Sequence, residues 1–202
     1  MNDLYPKRKA VFLDKDGTLI PDVPYNVNPD LITIDDATIS GLQLLKTQRF
    51  LLILITNQSG IARGYFEETA LEAVWRKVQA LLRLHGLAID AFYFCPHHPE
   101  ATVEKYKVEC DCRKPLPGLI LKAAAEWNVD LKRSWMIGDI LNDVEAGHRA
   151  GCPSILIDNG GETEWLQSPL RVPDYTCVNL LEAARFIQTA EKKQAHGELE
   201  QL

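Results

Sequence analysis

With 202 residues, 46% hydrophobic and 25% charged, the chain has material for one substantial core and the make-up of an ordinary globular protein. A formal net charge of -6 excludes binding to a nucleic-acid backbone as its main task, because that requires a broadly basic face. The richest apolar run, Phe50 to Ile55, is too short to span a bilayer, and no apolar stretch behind the basic N-terminal residues suits a signal peptide. The expectation is a cytoplasmic protein with neither a membrane nor a nucleic acid as partner.

The first predicted element is Ala10 to Asp14, an apolar run that ends in two acids, Asp14 and Asp16, and then Gly17 and Thr18. Such a run reads as a buried parallel strand. A second strand is predicted over 51–56, ending at Thr56. Glu67 to His85 follows as a helix, with Leu71, Val74, Trp75, Val78, Leu81 and Leu82 on one face and Gly86 placed to end it. A strand over 91–95 comes next, then a helix over 117–128 with Pro117 in its first turn. The strand over 134–139 ends at Asp139 and leads into a helix over 142–151. Strands over 154–158 and, more weakly, 175–178 precede a closing helix over 179–193, and a polar tail covers about 191–202.

Strand and helix in alternation imply right-handed crossovers. The fold class expected is α/β, a doubly wound, Rossmann-like, mainly parallel sheet with helices on both faces. Residues 1–202 are read as a single domain. Ligands of such sheets bind beyond the carboxyl ends of the strands, which is where Asp14, Thr56 and Asp139 fall.

Two carboxylates leaving a buried strand repel each other and are poorly solvated, so a compensating charge is required. A hard divalent cation such as Mg²⁺, which takes carboxylates and a phosphate as ligands, meets that need. Asp139 and Asp143 supply further acids, and Arg113 and Lys114 supply cations. Asp14-Lys15-Asp16-Gly17 taken alone also suits a plain turn. The downstream groups turn the balance towards a phosphate-handling site.

The five cysteines are odd in number and unevenly spread, unlike a secreted disulfide framework. Cys95, Cys110 and Cys112, with His97 or His98 between them, offer three thiols and an imidazole, enough to close a tetrahedral Zn²⁺ site. A closed site leaves no position for water, so this zinc is expected to be structural. It would anchor loop 95–112 directly before Arg113 and Lys114. Free thiols with a surface histidine pair are the alternative. Cys152 and Cys177 read as small core residues.

The segment DKDGT from Asp14 to Thr18, the strand LLILITN through Thr56 and Asn57, Lys114, and IGDILND through Asp139 and Asp143 occur in that order. Together they resemble the four motifs of the haloacid dehalogenase superfamily of phosphatases. The resemblance implies covalent catalysis. Asp14 is the nucleophile, Asp16 the acid and base, Thr56 a hydrogen-bond donor to the phosphoryl group, and Lys114 its charge partner. Mg²⁺ is held by Asp14, the backbone carbonyl of Asp16, and Asp139, while Asp143 orients Lys114 or the waters of the metal. An acid at position 16 favours a phosphatase over a dehalogenase, which has no need of a proton donor there.

Within that superfamily TNQSGIARG (56–64), CPHHP (95–99) and CDCRKP (110–115) resemble the family of D-glycero-D-manno-heptose-1,7-bisphosphate 7-phosphatases, with histidinol-phosphatase domains as near relatives. This resemblance implies His97 as the fourth zinc ligand and substrate contacts from Asp22, Val23, Pro24 and Tyr25, from Asn57, Gln58 and Ser59, and from Arg113. It also implies a monomer without a large cap domain and a small phosphorylated sugar as substrate. Histidinol phosphate is the alternative substrate. Ile140 stands where these relatives usually carry a basic residue, and Pro24 precedes Tyr25 where they have a glycine-tyrosine turn. A DNA 3'-phosphatase is disfavoured by the net charge and the zinc loop. A non-catalytic zinc scaffold would have no use for the assembled acids and lysine.

Overall fold

The computed structural model describes residues 6–199. Residues 1–5, and the last three of the expected polar tail, lie outside the described residues. The strands are β1 (Ala10–Leu13), β2 (Leu51–Asn57), β3 (Ala91–Cys95), β4 (Trp135–Gly138), β5 (Ser154–Ile157) and β6 (Tyr175–Cys177). All pair in parallel in one sheet of order β3-β2-β1-β4-β5-β6. The six expected strands form within a residue of their predicted bounds, because buried parallel strands are continuous apolar runs.

The helices are α1 (Asp36–Thr47), α2 (Ser59–Ala62), α3 (Ala70–Arg83), α4 (Gly118–Trp127), α5 (Leu141–Ala150) and α6 (Leu180–Leu199). The sequence reading passes over α1. Its N-cap is Asp35, whose side chain accepts from the amide of Thr38 at 2.6 Å, and it buries Ile39, Leu42 and Leu45. α3 buries Leu71, Val74, Val78 and Leu82, with Trp75 and Leu81 packed at the edge, and Gly86 follows it at φ +69°. Pro117 is the residue before α4 and not its first turn. α6 runs as helix through 191–199, the stretch expected to be a polar tail.

Alternate strand residues face opposite layers. Val11, Leu13, Leu52, Leu54, Ile137 and Ile155 join Ile39 and Leu42 of α1, Val74 and Val78 of α3, and Ala183 and Ile187 of α6. On the other face Phe12, Ile53, Ile55 and Met136 meet Leu119, Ile120 and Ala123 of α4 and Ala146 of α5. Both faces are covered, as a wholly parallel sheet requires. The strand order reverses direction between β1 and β4, so a crevice opens beyond their carboxyl ends.

Candidate active site

A cavity of about 300 Å³ lies at that crevice. β1 delivers Asp14 and, after a tight turn, Asp16; β2 delivers Thr56 and Asn57; β4 delivers Asp139. Gln58, Ser59, Asp22, Pro24, Tyr25 and Lys114 also line it, as do Lys15, Asn26, Ile140 and Gly161. Val23 and Arg113, both expected to touch substrate, are not among its lining residues.

Lys114 is the hub. Its Nζ lies 2.6 Å from Asp14 Oδ1 and 2.5 Å from Asp143 Oδ1, and it donates to the carbonyl of Ile55 at 3.1 Å. Burial alone would lower its pKa, but Asp14 and Asp143 together raise it, so it stays charged. Asn57 holds the backbone that presents it: Nδ2 donates to the Lys114 carbonyl and Oδ1 accepts from the Lys114 amide, each at 3.0 Å. Asn57, expected at the substrate, lines the cavity, and its amide also serves the lysine.

Asp16 is gripped on both oxygens. Lys15 Nζ is 2.7 Å from Oδ1, and Gln58 Nε2 is 3.3 Å from Oδ2 and 2.9 Å from Thr56 Oγ1. Burial raises the Asp16 pKa most, the Lys15 charge opposes it, and Asp14 adds to the rise. Lys15 is 1% exposed. Sequence reasoning passed over it, since a lysine between two acids reads as a solvated turn residue.

Asp139 and Asp143 carry the cost of crowding. Burial first, then Asp143 and Asp14, push the Asp139 carboxyl up to about 8. Burial, against the charge of Lys114, puts Asp143 at about 6. Room for Asp139 comes from two glycines. A Cβ on Gly17 would stand 2.0 Å from Asp139 Oδ2, and one on Gly161 would stand 2.3 Å from it. Gly17 also has φ +78°, which a side chain would strain. Gly161 lies in the loop after β5, far from any motif, and nothing in the sequence flags it.

Asp14, Asp139 and Asp143 each offer an oxygen within 4.8 Å of the others, all buried. With Lys15 paired to Asp16, Lys114 is the cation that the described residues set against these three carboxylates, so the acids outnumber it. An all-oxygen, charge-deficient donor set fits a hard divalent cation. Asp143 has both oxygens engaged, Oδ1 by Lys114 and Oδ2 by the Ile140 amide at 3.3 Å, whereas Asp14 meets Lys114 through Oδ1, so Asp14 and Asp139 are the acids better suited to hold it.

The second cluster is soft. Cys112 Sγ lies 3.1 Å from both Cys95 Sγ and Cys110 Sγ, and His97 Nδ1 is 3.3 Å from Cys112 Sγ. Donor atoms of Cys95, His97, Cys110 and Cys112 all lie within 4.8 Å of one another, whereas His98 turns its Nδ1 to the amide of Glu100 at 3.1 Å. Burial pushes the Cys95 thiol up to about 11. Three thiols and an imidazole fit Zn²⁺, which ionises the thiols it binds. Cys152 and Cys177 are buried in the core away from this cluster.

Residues 111–183 match the HAD-hydrolase-like family model. The chain is 43% identical over 155 residues to the D-glycero-beta-D-manno-heptose-1,7-bisphosphate 7-phosphatase of Pasteurella multocida, covering 77% of this chain and 84% of the relative. To the protein of the same name from Haemophilus influenzae it is 37% identical over 189 residues, 91% of this chain and 99% of the relative. The solved D,D-heptose 1,7-bisphosphate phosphatase of B. bronchiseptica, complexed with magnesium and phosphate, matches with a TM-score of 0.73 and 30% identity, over 90% of this chain and 99% of that one. Among the described residues no helix is long and apolar enough to cross a membrane. The chain therefore belongs to the haloacid dehalogenase-like hydrolases and, within them, to the family of D-glycero-D-manno-heptose-1,7-bisphosphate 7-phosphatases.

Proposed function

We propose that this chain is a phosphomonoesterase that removes the 7-phosphate of D-glycero-D-manno-heptose 1,7-bisphosphate through an aspartyl-phosphate, acting as a monomeric, single-domain enzyme of the cytoplasm. The observation that carries the reading is Lys114 Nζ held between Asp14 and Asp143 at 2.6 and 2.5 Å, with Asp16 and Thr56 facing the same cavity. A carboxylate fixed against a buried cation, with a second carboxylate two residues on, is what in-line attack on phosphorus and protonation of a leaving alkoxide require.

An oxygen of Asp14 attacks phosphorus, the bond from phosphorus to the C7 oxygen breaks, and Asp16 gives that oxygen a proton. Asp16 then takes a proton from water, whose oxygen attacks the aspartyl-phosphate and releases orthophosphate with Asp14 restored. Gln58 and Lys15 hold Asp16 in place through both steps. Lys114 and the Thr56 hydroxyl face the charge that gathers on the phosphoryl oxygens. Mg²⁺, held by Asp14, Asp139 and the main-chain oxygen of Asp16, supplies further neutralisation of that charge when bound. Zn²⁺ on Cys95, His97, Cys110 and Cys112 would fix the loop that presents Arg113 and Lys114, and Asp22, Pro24, Tyr25 and Ser59 frame the sugar.

A substrate panel tests this. Heptose 1,7-bisphosphate is expected to give a kcat/KM well above that of histidinol phosphate. Equal turnover, or preference for histidinol phosphate, removes the heptose assignment while leaving the phosphatase chemistry in place.

A further inference from the structure

The segment that follows the Asp14–Thr18 motif makes a costly turn at the edge of the cavity. The amide of Asn26 donates to the carbonyl of Val23 at 3.1 Å, which closes a four-residue turn over 23–26. Pro24 suits its second position, whereas the third, at φ +56°, is one that glycine normally fills. Tyr25 stands there instead. A bulky side chain in the left-handed region is strained, and such strain persists where the surrounding structure holds the residue in place.

The support comes from α2 and the turn behind it. A Cβ on Gly60 would stand 3.1 Å from Cδ1 of Tyr25 and 2.3 Å from Cε1 of Phe66, so a bare backbone lets both rings settle on α2. Gly64, at φ +72°, turns the chain back, and the Tyr65 amide donates to the Gly60 carbonyl at 2.9 Å. This brings the Tyr65 ring against Tyr25, with centroids 4.8 Å apart and planes at 80°, the edge-to-face geometry that aromatic pairs favour.

An exposed tyrosine behind a helix is ordinarily a bystander. Tyr65 is 61% exposed, so burial does little to place its ring, and its ring contact is Tyr25. Tyr25 is itself 46% exposed, yet it lines the cavity beside Asp22, Pro24 and Gly60. A tyrosine side chain offers an apolar body and a polar tip, which matches the C–H groups and hydroxyls of a sugar. We propose that Tyr65 is a positioning residue for sugar recognition. Its ring holds that of Tyr25 as the outer wall of the cavity, against the carbon chain of a sugar phosphate, without touching the substrate itself.

This rests on the reading of the chain as a sugar-bisphosphate phosphatase, and the test keeps the two apart. kcat and KM are measured on heptose 1,7-bisphosphate and on acetyl phosphate, which carries no sugar. The proteins are the wild-type enzyme, Tyr65→Ala, Tyr65→Phe, Tyr25→Gly, and Tyr25→Gly combined with Tyr65→Ala. Tyr65→Ala is expected to raise KM for the bisphosphate about threefold to tenfold, the size of an edge-to-face pair. Its kcat should stay near the wild-type value, and acetyl phosphate hydrolysis should move far less. Tyr65→Phe keeps the ring and should keep the wild-type KM; a loss as large as that of Tyr65→Ala would assign the effect to the hydroxyl and count against the ring pair. In the Tyr25→Gly background the Tyr65→Ala effect should vanish, since the residue it acts through is gone. An unchanged KM in Tyr65→Ala, an equal loss on both substrates, or an effect that persists without Tyr25 overturns the positioning role and leaves the activity assigned above intact. A wild-type enzyme that shows no preference for the bisphosphate over acetyl phosphate overturns both. Should Tyr65→Ala not fold, Tyr65→Leu decides: bulk without a ring is expected to raise KM in the same way, and a wild-type KM counts against the proposal.

Discussion

Lys114 and Asp14 form one buried pair, yet their removal is expected to do different things. Asp14→Asn leaves Lys114 paired with Asp143, so the variant should fold and melt near the wild-type temperature. Its phosphatase activity should drop by about a thousandfold or more if Asp14 is the nucleophile proposed above. Lys114→Met strands Asp14 and Asp143 in the interior without their cation, and breaking a buried pair in this way costs about 3–5 kcal/mol. Denaturant melts and steady-state assays on both variants check the contrast. Equal stability would mean that water or neighbouring groups already neutralise these acids. Asp14, Asp16, Lys114 and Asp139 were legible as chemistry because acids and a lysine at strand ends have few structural reasons to be there. Lys15 was harder to read, as was the hold on Asp16 by Gln58, a residue expected at the substrate, since both matter through what they touch: Asp16 from two sides.

The helix missed by the sequence reading, α1, packs directly on α6, and Gly41 lies against the backbone of Leu180. A Cβ there would stand 2.7 Å from the carbonyl oxygen of Leu180, so Gly41→Ala should force the helices apart and cost about 1–3 kcal/mol. Activity at low temperature should persist, since α1 contributes nothing to the cavity, and a melt with an activity assay separates the two effects. α1 was hidden because Asp35, Asp36, Thr38, Ser40 and Gly41 dilute its apolar stripe, leaving Ile39, Leu42 and Leu45 as a weak signal. The zinc loop was the reverse case, conspicuous in sequence through residue type alone. Chelating a zinc ion held there is expected to lower the melting temperature while far-UV dichroism at room temperature stays near normal, because, of its ligands, only Cys95 belongs to the core cluster of Phe12, Ile53 and Met136, and Cys110 and Cys112 border it. Turnover should fall in step, as Lys114 follows Cys112 by two residues. A melt that does not move after verified metal loss would refute the zinc assignment.

Crowding of acids in the crevice links the stability of the whole molecule to pH. Asp139 is raised from 3.8 to about 8 in the folded chain, and Asp143 to about 6. At the lowest pH both are protonated whether folded or not. As pH rises past about 4 the unfolded chain gives up its protons while the folded chain keeps them, so stability falls, and the loss is complete above about 8. Glu145, held low by its arginine partners Arg171 and Arg149 despite burial, acts the opposite way but only below its ordinary carboxyl range. Metal-free protein should therefore melt at progressively lower temperature from about pH 5 to about pH 8, and the stabilisation by added Mg²⁺ should grow over the same interval. Thermal melts across pH with and without Mg²⁺ measure this, and Asp139→Asn should flatten the metal-free curve. A metal-free protein that grows more stable towards pH 8 would contradict the crowding.

Local order in the chain was enough to establish the alternation of strands and helices, the parallel sheet and the chemical character of both clusters. Each of these follows from residue type and spacing within a short window: apolar runs become buried strands, and acids or thiols at their ends announce ligands. Folding supplied what depends on distance through space. The β3-β2-β1-β4-β5-β6 order puts Asp14 beside Asp139, Gly161 clears room for that carboxylate from a loop with no motif, and Asn57 clasps the backbone of Lys114 from far along the chain. No periodicity encodes such meetings, because they are fixed by the packing of whole layers and by the penalties of burying charge, which exist only once the chain has closed on itself.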